Sequence, residues 1–251
     1  MRRYGLSDSQ WERIKDLLPG REDHVVGTAA DNRLFVEVVL YRYRAGIPWR
    51  DLPARFGDRK NVHRRLRRWC EGGVIERIFW HLAADRDNDC MMIDSTIVRA
   101  HQHSAGARKK KGADQAIGRS RGGLTSKIHA IVGAAGKAVA LSLTPGQRAD
   151  ITEAAPLLNE VDPAAFIADR AYDADPLIEE LEERQITPVI PSRKNRRDPW
   201  KLSFRLYKNR NIIERFFTRL KQFRGIATRY DRLTSTFFAA LQLVSAIIGI
   251  N

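Results

Sequence analysis

The sequence predicts an α/β fold, a mixed sheet flanked by helices, preceded by a small all-helical region. Three observations lead there. Residues 1–85 repeat apolar positions at helical spacing and contain no strand-like run. From about residue 88, short β-branched apolar runs of strand length alternate with helical segments. Near the C-terminus, Ile212, Ile213, Phe216, Phe217 and Leu220 recur at 3.6-residue spacing, with no Pro or Gly before Gly225. The expected division is 1–85 and 86–251, the second part a layered α/β domain.

In the first part, Ser7 and Gln10 read as a capping box ahead of Trp11, Ile14, Leu17 and Leu18. A second helix is expected from about Asp31 to Arg44, stopped by Gly46 and Pro48. The segment 48–57 reads as a short helix and a Gly turn leading into Arg59–Arg68, which carries six cations and no acid. Val62, Leu66 and Trp69 keep an apolar seam along it. Two helices around a tight Gly turn, the second basic, form a helix-turn-helix pattern. Its outward face would present Lys60, Asn61, Arg64, Arg65 and Arg68.

In the second part, strands are expected at Cys90–Val98, Ser126–Val132, Lys137–Leu143, Ala165–Asp169 and Thr187–Ile190. Helices are expected at about Ala149–Leu158 and Asp175–Arg184. Residues 104–123, with Arg108, Lys109, Arg119 and Arg121, read as a mobile basic loop. The patch Arg193–Arg197 reads in the same way.

Composition narrows the class. With 43% apolar residues among 251, the chain can build a core, which excludes wholesale disorder. Lys plus Arg number 44 against 30 acids, for a net charge of +14. Such an excess points to a polyanion partner, through counterion release. Two cysteines, Cys70 and Cys90, cannot make a disulfide framework or a Cys-based zinc site. No signal-peptide core precedes the first helix, and the apolar run Phe237–Ile250 is too short to span a bilayer. It reads as a core helix packed on the second domain, and a cytoplasmic location with no membrane partner is expected.

At about 100° per residue, Tyr207, Arg210, Glu214 and Lys221 fall within roughly 60° of one another, away from the apolar face. Alone, Arg210 and Glu214 could be a solvated helix pair worth ~0.2–0.5 kcal/mol. Two other acids stand in unusual places: Asp94 interrupts an apolar strand and Asp169 closes one. Taken together, Asp94, Asp169 and Glu214 suit hard divalent cations such as Mg²⁺, which are often held by a few carboxylates. Two ions ~3.5–4 Å apart can assist both the attacking and leaving oxygens of a phosphoryl displacement. The pair His101 and His103 lacks a third ligand and is read as a non-metal pair.

The spacing Tyr207-x2-Arg210-x3-Glu214-x6-Lys221 resembles the Tyr-Arg-Glu-Lys signature of bacterial insertion-sequence DDE transposases of family five. Tyr4–Trp11, Pro48–Pro53, Ile93–Thr96, Val98–His103, Gly122–His129, Leu143–Gln147 and Ala168–Asp173 resemble further segments of that family. The resemblance implies a ribonuclease-H-like catalytic domain with Asp94, Asp169 and Glu214 as the metal-binding catalytic triad. It implies two Mg²⁺ ions, with Mn²⁺ as a substitute. Arg210 and Lys221 would contact DNA phosphates, and Tyr207 would place the terminal nucleotide. The implied activity is cleavage at the terminal inverted repeats of double-stranded DNA and strand transfer into a target, by a homodimer or higher assembly. The rival readings are a catalytically silent DNA-binding regulator and a stand-alone nuclease. Only 45 residues separate Asp169 from Glu214, so no long insertion is present to support a hairpin route.

If the basic helix touches phosphates, Arg64→Ala will weaken DNA binding about equally across sequences and reduce the salt slope by about 1. A salt titration with an unchanged slope would remove Arg64 from the interface.

Overall fold

The computed structural model describes residues 5–20, 31–84, 88–106, 115–197 and 199–250. Helices α1 (Asp8–Ile14), α2 (Asn32–Ala45), α3 (Arg59–Glu71) and α4 (Val74–Ala84) come first. Strands β1 (Cys90–Ala100), β2 (Gly118–Ser120), β3 (Gly123–Gly133) and β4 (Ala138–Pro145) follow. Then come α5 (Ala154–Leu158), β5 (Ala165–Ile167), α6 (Asp175–Glu183) and β6 (Thr187–Val189). The chain closes with α7 (Phe204–Tyr207), α8 (Asn211–Lys221), α9 (Arg224–Ala227) and α10 (Thr234–Gly249).

The elements form two compact units. One gathers Met1–Leu82, Ala100–Gln115 and Leu220–Asn251; the other gathers Ala83–Arg99 and Ala116–Arg219. The division by compactness therefore does not follow the sequence order 1–85 and 86–251. The C-terminal helix, expected on the second domain, instead groups with the N-terminal helices and packs on α3 and α9. Its docking begins where two glycines let backbones meet. Gly46 ends α2 at φ +68°, and a Cβ there would lie 2.7 Å from the Arg224 Cβ. Gly225 in α9 approaches the Tyr43 backbone in the same way. A buried polar knot follows: Asp231 accepts from the Tyr43 hydroxyl at 3.0 Å and from the Arg42 guanidinium at 3.2 Å.

Local signals explain the helical unit. Ser7 and Gln10 form the expected capping box, and Asp31 caps α2 by accepting the Leu34 N–H at 2.9 Å. Between α2 and α3 the chain forms two 3-10 turns, Trp49–Asp51 and Ala54–Phe56, rather than the single short helix expected. Pro53 between them, which lacks an N–H, accounts for the break. Gly57 at φ +84° then turns the chain into α3, capped by Asp58.

In the second unit the sheet runs in the order β4–β3–β1–β5–β6, with β2 hairpinned on the start of β3. Pairing of β1 with β3 and of β3 with β4 is antiparallel; β5 and β6 run parallel to β1. Three antiparallel strands followed by two parallel ones, with helices between, make the mixed sheet expected from the sequence and the ribonuclease-H-like order that the family resemblance implies. On one face Met91, Ile93, Ile131, Val139 and Phe166 pack with Leu157 and Leu158 of α5 and Leu177, Ile178 and Leu181 of α6. The strand β2 corrects the expectation of a loop throughout 104–123, as does a 3-10 turn at Gln102–Ser104.

His129 stands in β3, fully buried, with Nε2 2.8 Å from the Thr144 hydroxyl. Burial drives its imidazole down to about 4 from an ordinary 6.5. The unfolded chain takes up this proton near pH 6.5 and the folded chain only near pH 4. The neutral imidazole therefore contributes stability above pH 6.5 that is lost as pH falls toward 4, up to about 3 kcal/mol. Thermal melts should show His129→Gln losing less stability than wild type between pH 7 and 4; parallel curves would contradict this account.

Candidate active site

Strand alternation sets the site. Met91 and Ile93 face the packed core, so Met92 and Asp94 leave β1 on the opposite face. In the parallel pairing Met92 lies beside Ile167. Asp94 and Asp169 each follow two residues beyond that pair, near enough for the Asp169 charge to act on the Asp94 carboxyl. Strand β5 ends at Ile167, and Asp169 also caps the turn Arg170–Tyr172, accepting the Ala171 N–H at 2.7 Å. Asp169 thus combines an ordinary capping role with a place beside Asp94.

Asp94 is held from two sides. Its Oδ1 accepts the Ser95 N–H at 2.7 Å, and its Oδ2 accepts from Arg210 at 3.0 Å. The second guanidinium nitrogen of Arg210 donates to Glu214, so one cation spans two acids from β1 and α8. Burial pushes the Asp94 carboxyl above the usual carboxylate range; the Ser95 N–H and Arg210 oppose this, while Asp169 and Asp150 reinforce it. The apolar set of α8 behaves as expected, with Ile213, Phe216, Phe217 and Leu220 buried and Glu214 outward, its side chain 55% exposed.

The stripe is not one uninterrupted helix. Residues Lys208–Arg210 form a 3-10 turn between α7 and α8, so Tyr207 lies outside the ladder that carries Glu214. Lys221 is two turns beyond Glu214 on α8, and burial pulls its amine below its ordinary value.

Four residues near the acids escaped the sequence reading: Ser95, Lys127, Asp150 and Tyr172. Asp150 accepts from the Ser95 hydroxyl at 2.6 Å and from Lys127 at 2.7 Å. Burial pushes its carboxyl up, but those two hydrogen bonds outweigh this and hold it below the usual range. Tyr172 is fully buried, and its hydroxyl has no hydrogen-bond partner among the described residues. Burial first, then the fields of Asp150, Asp94 and Asp169, push this phenol up. Lys127 inside the apolar run of β3 was the available signal, since a charge there requires a partner.

On α3, Lys60, Asn61, Arg64 and Arg68 are exposed. Arg65 departs from that face. Its guanidinium lies 4.3 Å over the Phe35 ring and 5.1 Å from that of Trp69, and it donates to Asn32. It flanks the Val62–Leu66–Trp69 seam, where an arginine stem covers aromatic surface. Arg119 and Arg121 are exposed on the β2–β3 hairpin; Arg108 and Lys109 lie outside the described residues. His101 and His103 stack at 4.9 Å, and His101 stacks on Tyr230 at 5.1 Å. Beyond Asp169, a pocket of about 560 Å³ is lined by Asp173, Arg193, Arg196, Arg197 and Trp200. There Arg196 pairs with Asp173 and Asp175 and covers Trp200 at 3.3 Å.

Among the described residues, no three His, Cys, Asp or Glu side chains stand close enough as placed to hold a metal ion. The donor set nevertheless fits one. All three candidates offer oxygen, and a guanidinium already fills the place of a cation between two of them. No described helix is long and apolar enough to cross a membrane.

Residues 85–248 match the transposase DDE domain and residues 6–79 match putative transposases of the IS4/5 family; the chain belongs to the insertion-sequence DDE transposases. It is 51% identical over 108 residues to the uncharacterized protein y4sN of Sinorhizobium fredii, covering 43% of this chain and 86% of that one. A putative transposase for insertion sequence element IS6501 of Brucella ovis is 35% identical over 130 residues, 51% of this chain and all of that one. Among solved structures, the chain is similar to the piggyBac transposase synaptic complex with hairpin DNA at 13% identity and TM-score 0.41, covering 77% of this chain and 50% of that one.

Proposed function

We propose that this transposase cuts the ends of its insertion sequence and joins them to target DNA at a site where Asp94, Asp169 and Glu214 bind divalent cations. The observation that carries this reading is the Arg210 guanidinium set between Asp94 and Glu214, with Asp169 beside Asp94. Carboxylates gathered this closely need positive charge, and oxygen donors alone suit Mg²⁺, or Mn²⁺, better than a soft metal. When bound, the cations supply the charge that stabilises an in-line displacement at phosphorus.

The side chains do the rest. Asp94 and Asp169 hold the ions from the sheet, and Glu214 completes the set once it turns away from Arg210. The released guanidinium then offers its planar pair of donors to a phosphate, the recognition for which arginine is suited. Lys221 adds a second cation along the same helix face, and Tyr207 places the terminal nucleotide. In the first step water displaces the 3′ oxygen: one P–O bond forms, one breaks, and a 3′-hydroxyl is left. In the second, that hydroxyl attacks a target phosphodiester, again exchanging one P–O bond for another.

Lys60, Asn61, Arg64 and Arg68 on α3 bind the terminal inverted repeats, with Arg119, Arg121, Arg108 and Lys109 following the backbone. Arg65 serves mainly to anchor α3. The charge of +14 supports a long DNA contact. Paired element ends call for a homodimer or larger assembly on double-stranded DNA.

Glu214→Gln should lower cleavage of labelled end DNA by more than about 100-fold, beyond what loss of an outer contact causes. Cleavage at the wild-type rate would remove Glu214 from the site. Without DNA, Arg210→Met should bind Mn²⁺ about tenfold more tightly, because charge-assisted hydrogen bonds of about 1.5–3 kcal/mol no longer compete. The same variant should cleave more slowly; weaker Mn²⁺ binding would contradict the displacement of Arg210 by the ion.

A further inference from the structure

We infer that Asp150, acting through Ser95 and braced by Lys127, is the positioning residue that orients Asp94 for metal binding. The inference rests on the proposed role of Asp94 as a ligand. Lys127 lies in β3 opposite Ile97 of β1 and is 8% exposed. Its ammonium donates to Asp150 Oδ1 at 2.7 Å and to the Arg148 carbonyl at 2.6 Å. The Ser95 hydroxyl donates to the same Asp150 oxygen at 2.6 Å. The backbone N–H of Ser95 donates at 2.7 Å to Asp94 Oδ1.

One residue is thus anchored by its side chain on one face of β1 while its main chain fixes the carboxylate that leaves on the other face. The link crosses the sheet through a single peptide unit, so tilting Ser95 would turn the N–H away from Asp94. Asp150 is itself rooted, because it opens the 3-10 turn Asp150–Glu153 that leads into α5, whose Leu157 and Leu158 lie in the core. With Oδ1 taking both Lys127 and Ser95, Asp150 is already matched by a cation. That assigns it to orientation rather than to the ligand set. Groups that orient metal ligands from behind typically contribute 10–100-fold to metal affinity.

The test is equilibrium Mn²⁺ binding by the full chain, followed by electron paramagnetic resonance without DNA and paired with end cleavage against Mn²⁺ concentration. Asp150→Asn is expected to weaken Mn²⁺ binding by about tenfold or more, and to raise half-saturating Mn²⁺ for cleavage by the same factor. Ser95→Ala keeps the N–H that donates to Asp94 but removes the hydroxyl that donates to Asp150, so it should shift both in the same direction. It also carries the test if thermal melting shows that Asp150→Asn does not fold. A merely structural role would lower the amount of active protein and leave half-saturation unchanged. Unchanged Mn²⁺ affinity in the folded variants, whatever the cleavage amplitude, overturns the proposal. Asp94→Asn separates the two levels: if it too binds Mn²⁺ like wild type, the metal site itself is misassigned; if it alone weakens binding, only the role of Asp150 falls.

Discussion

Acids brought together beside the central strand of a sheet repel one another and resist burial, and a fold that gathers them must supply a cation. Here Arg210 does so, one nitrogen on Asp94 and the other on Glu214. That contact accounts for why a strand acid and a helix acid distant in sequence meet at all. It also explains why Asp94 remains tolerable at 20% side-chain exposure although burial and two neighbouring carboxylates push its pKa upward. Under the proposed function, the same side chain would neutralise the acids in one state and contact phosphate in the next. The exchange is electrostatic, so salt, pH and divalent ions should all act on it.

The rest of the second unit serves this placement. One face of the sheet is closed by α5 and α6 with aliphatic side chains and Phe166. On the opposite face Met92, Ala130, Val132 and Ile167 are buried as well, and Asp94 leaves β1 among them. Parallel pairing of β1 with β5 runs to Met92 and Ile167, two residues short of Asp94 and Asp169 in each chain. The buried face of α8 fixes which way Glu214 can point. Behind the acids, Lys127, Asp150 and Ser95 form a short polar chain through β1. Such a chain lies in low dielectric, where each hydrogen bond matters more than it would at the surface.

Much of this was legible in residue order. The runs around Asp94 and Asp169 revealed strands by their length and β-branching, and a lone acid within such a run has to be matched by a partner. The 3.6-residue period of Ile213, Phe216 and Leu220 gave the buried face of α8. What stayed hidden depended on tertiary contact. Lys208–Arg210 tightens into a 3-10 turn although its residues favour an α-helix, and propensity alone does not distinguish the two. Arg65 turned from the exposed stripe onto Phe35, a residue from another helix that no local pattern pairs with it. The destination of α10 depended on glycines meeting Arg224 and Tyr43 across a long stretch of chain. Asp150 lies near the start of an expected helix and carries no local signal of its own; its pairing with Lys127 is a tertiary contact.

Under the proposed function, Asp94, Asp169 and Glu214 share the bound cations. Loading the chain with Fe²⁺ in place of Mg²⁺, then adding ascorbate and peroxide, generates radicals that cut the main chain beside the bound ion. Cuts in three segments, around residues 94, 169 and 214, all suppressed by excess Mg²⁺, are the predicted result. Cuts confined to one of these segments, or cuts elsewhere that Mg²⁺ suppresses, would show that the three carboxylates do not share an ion.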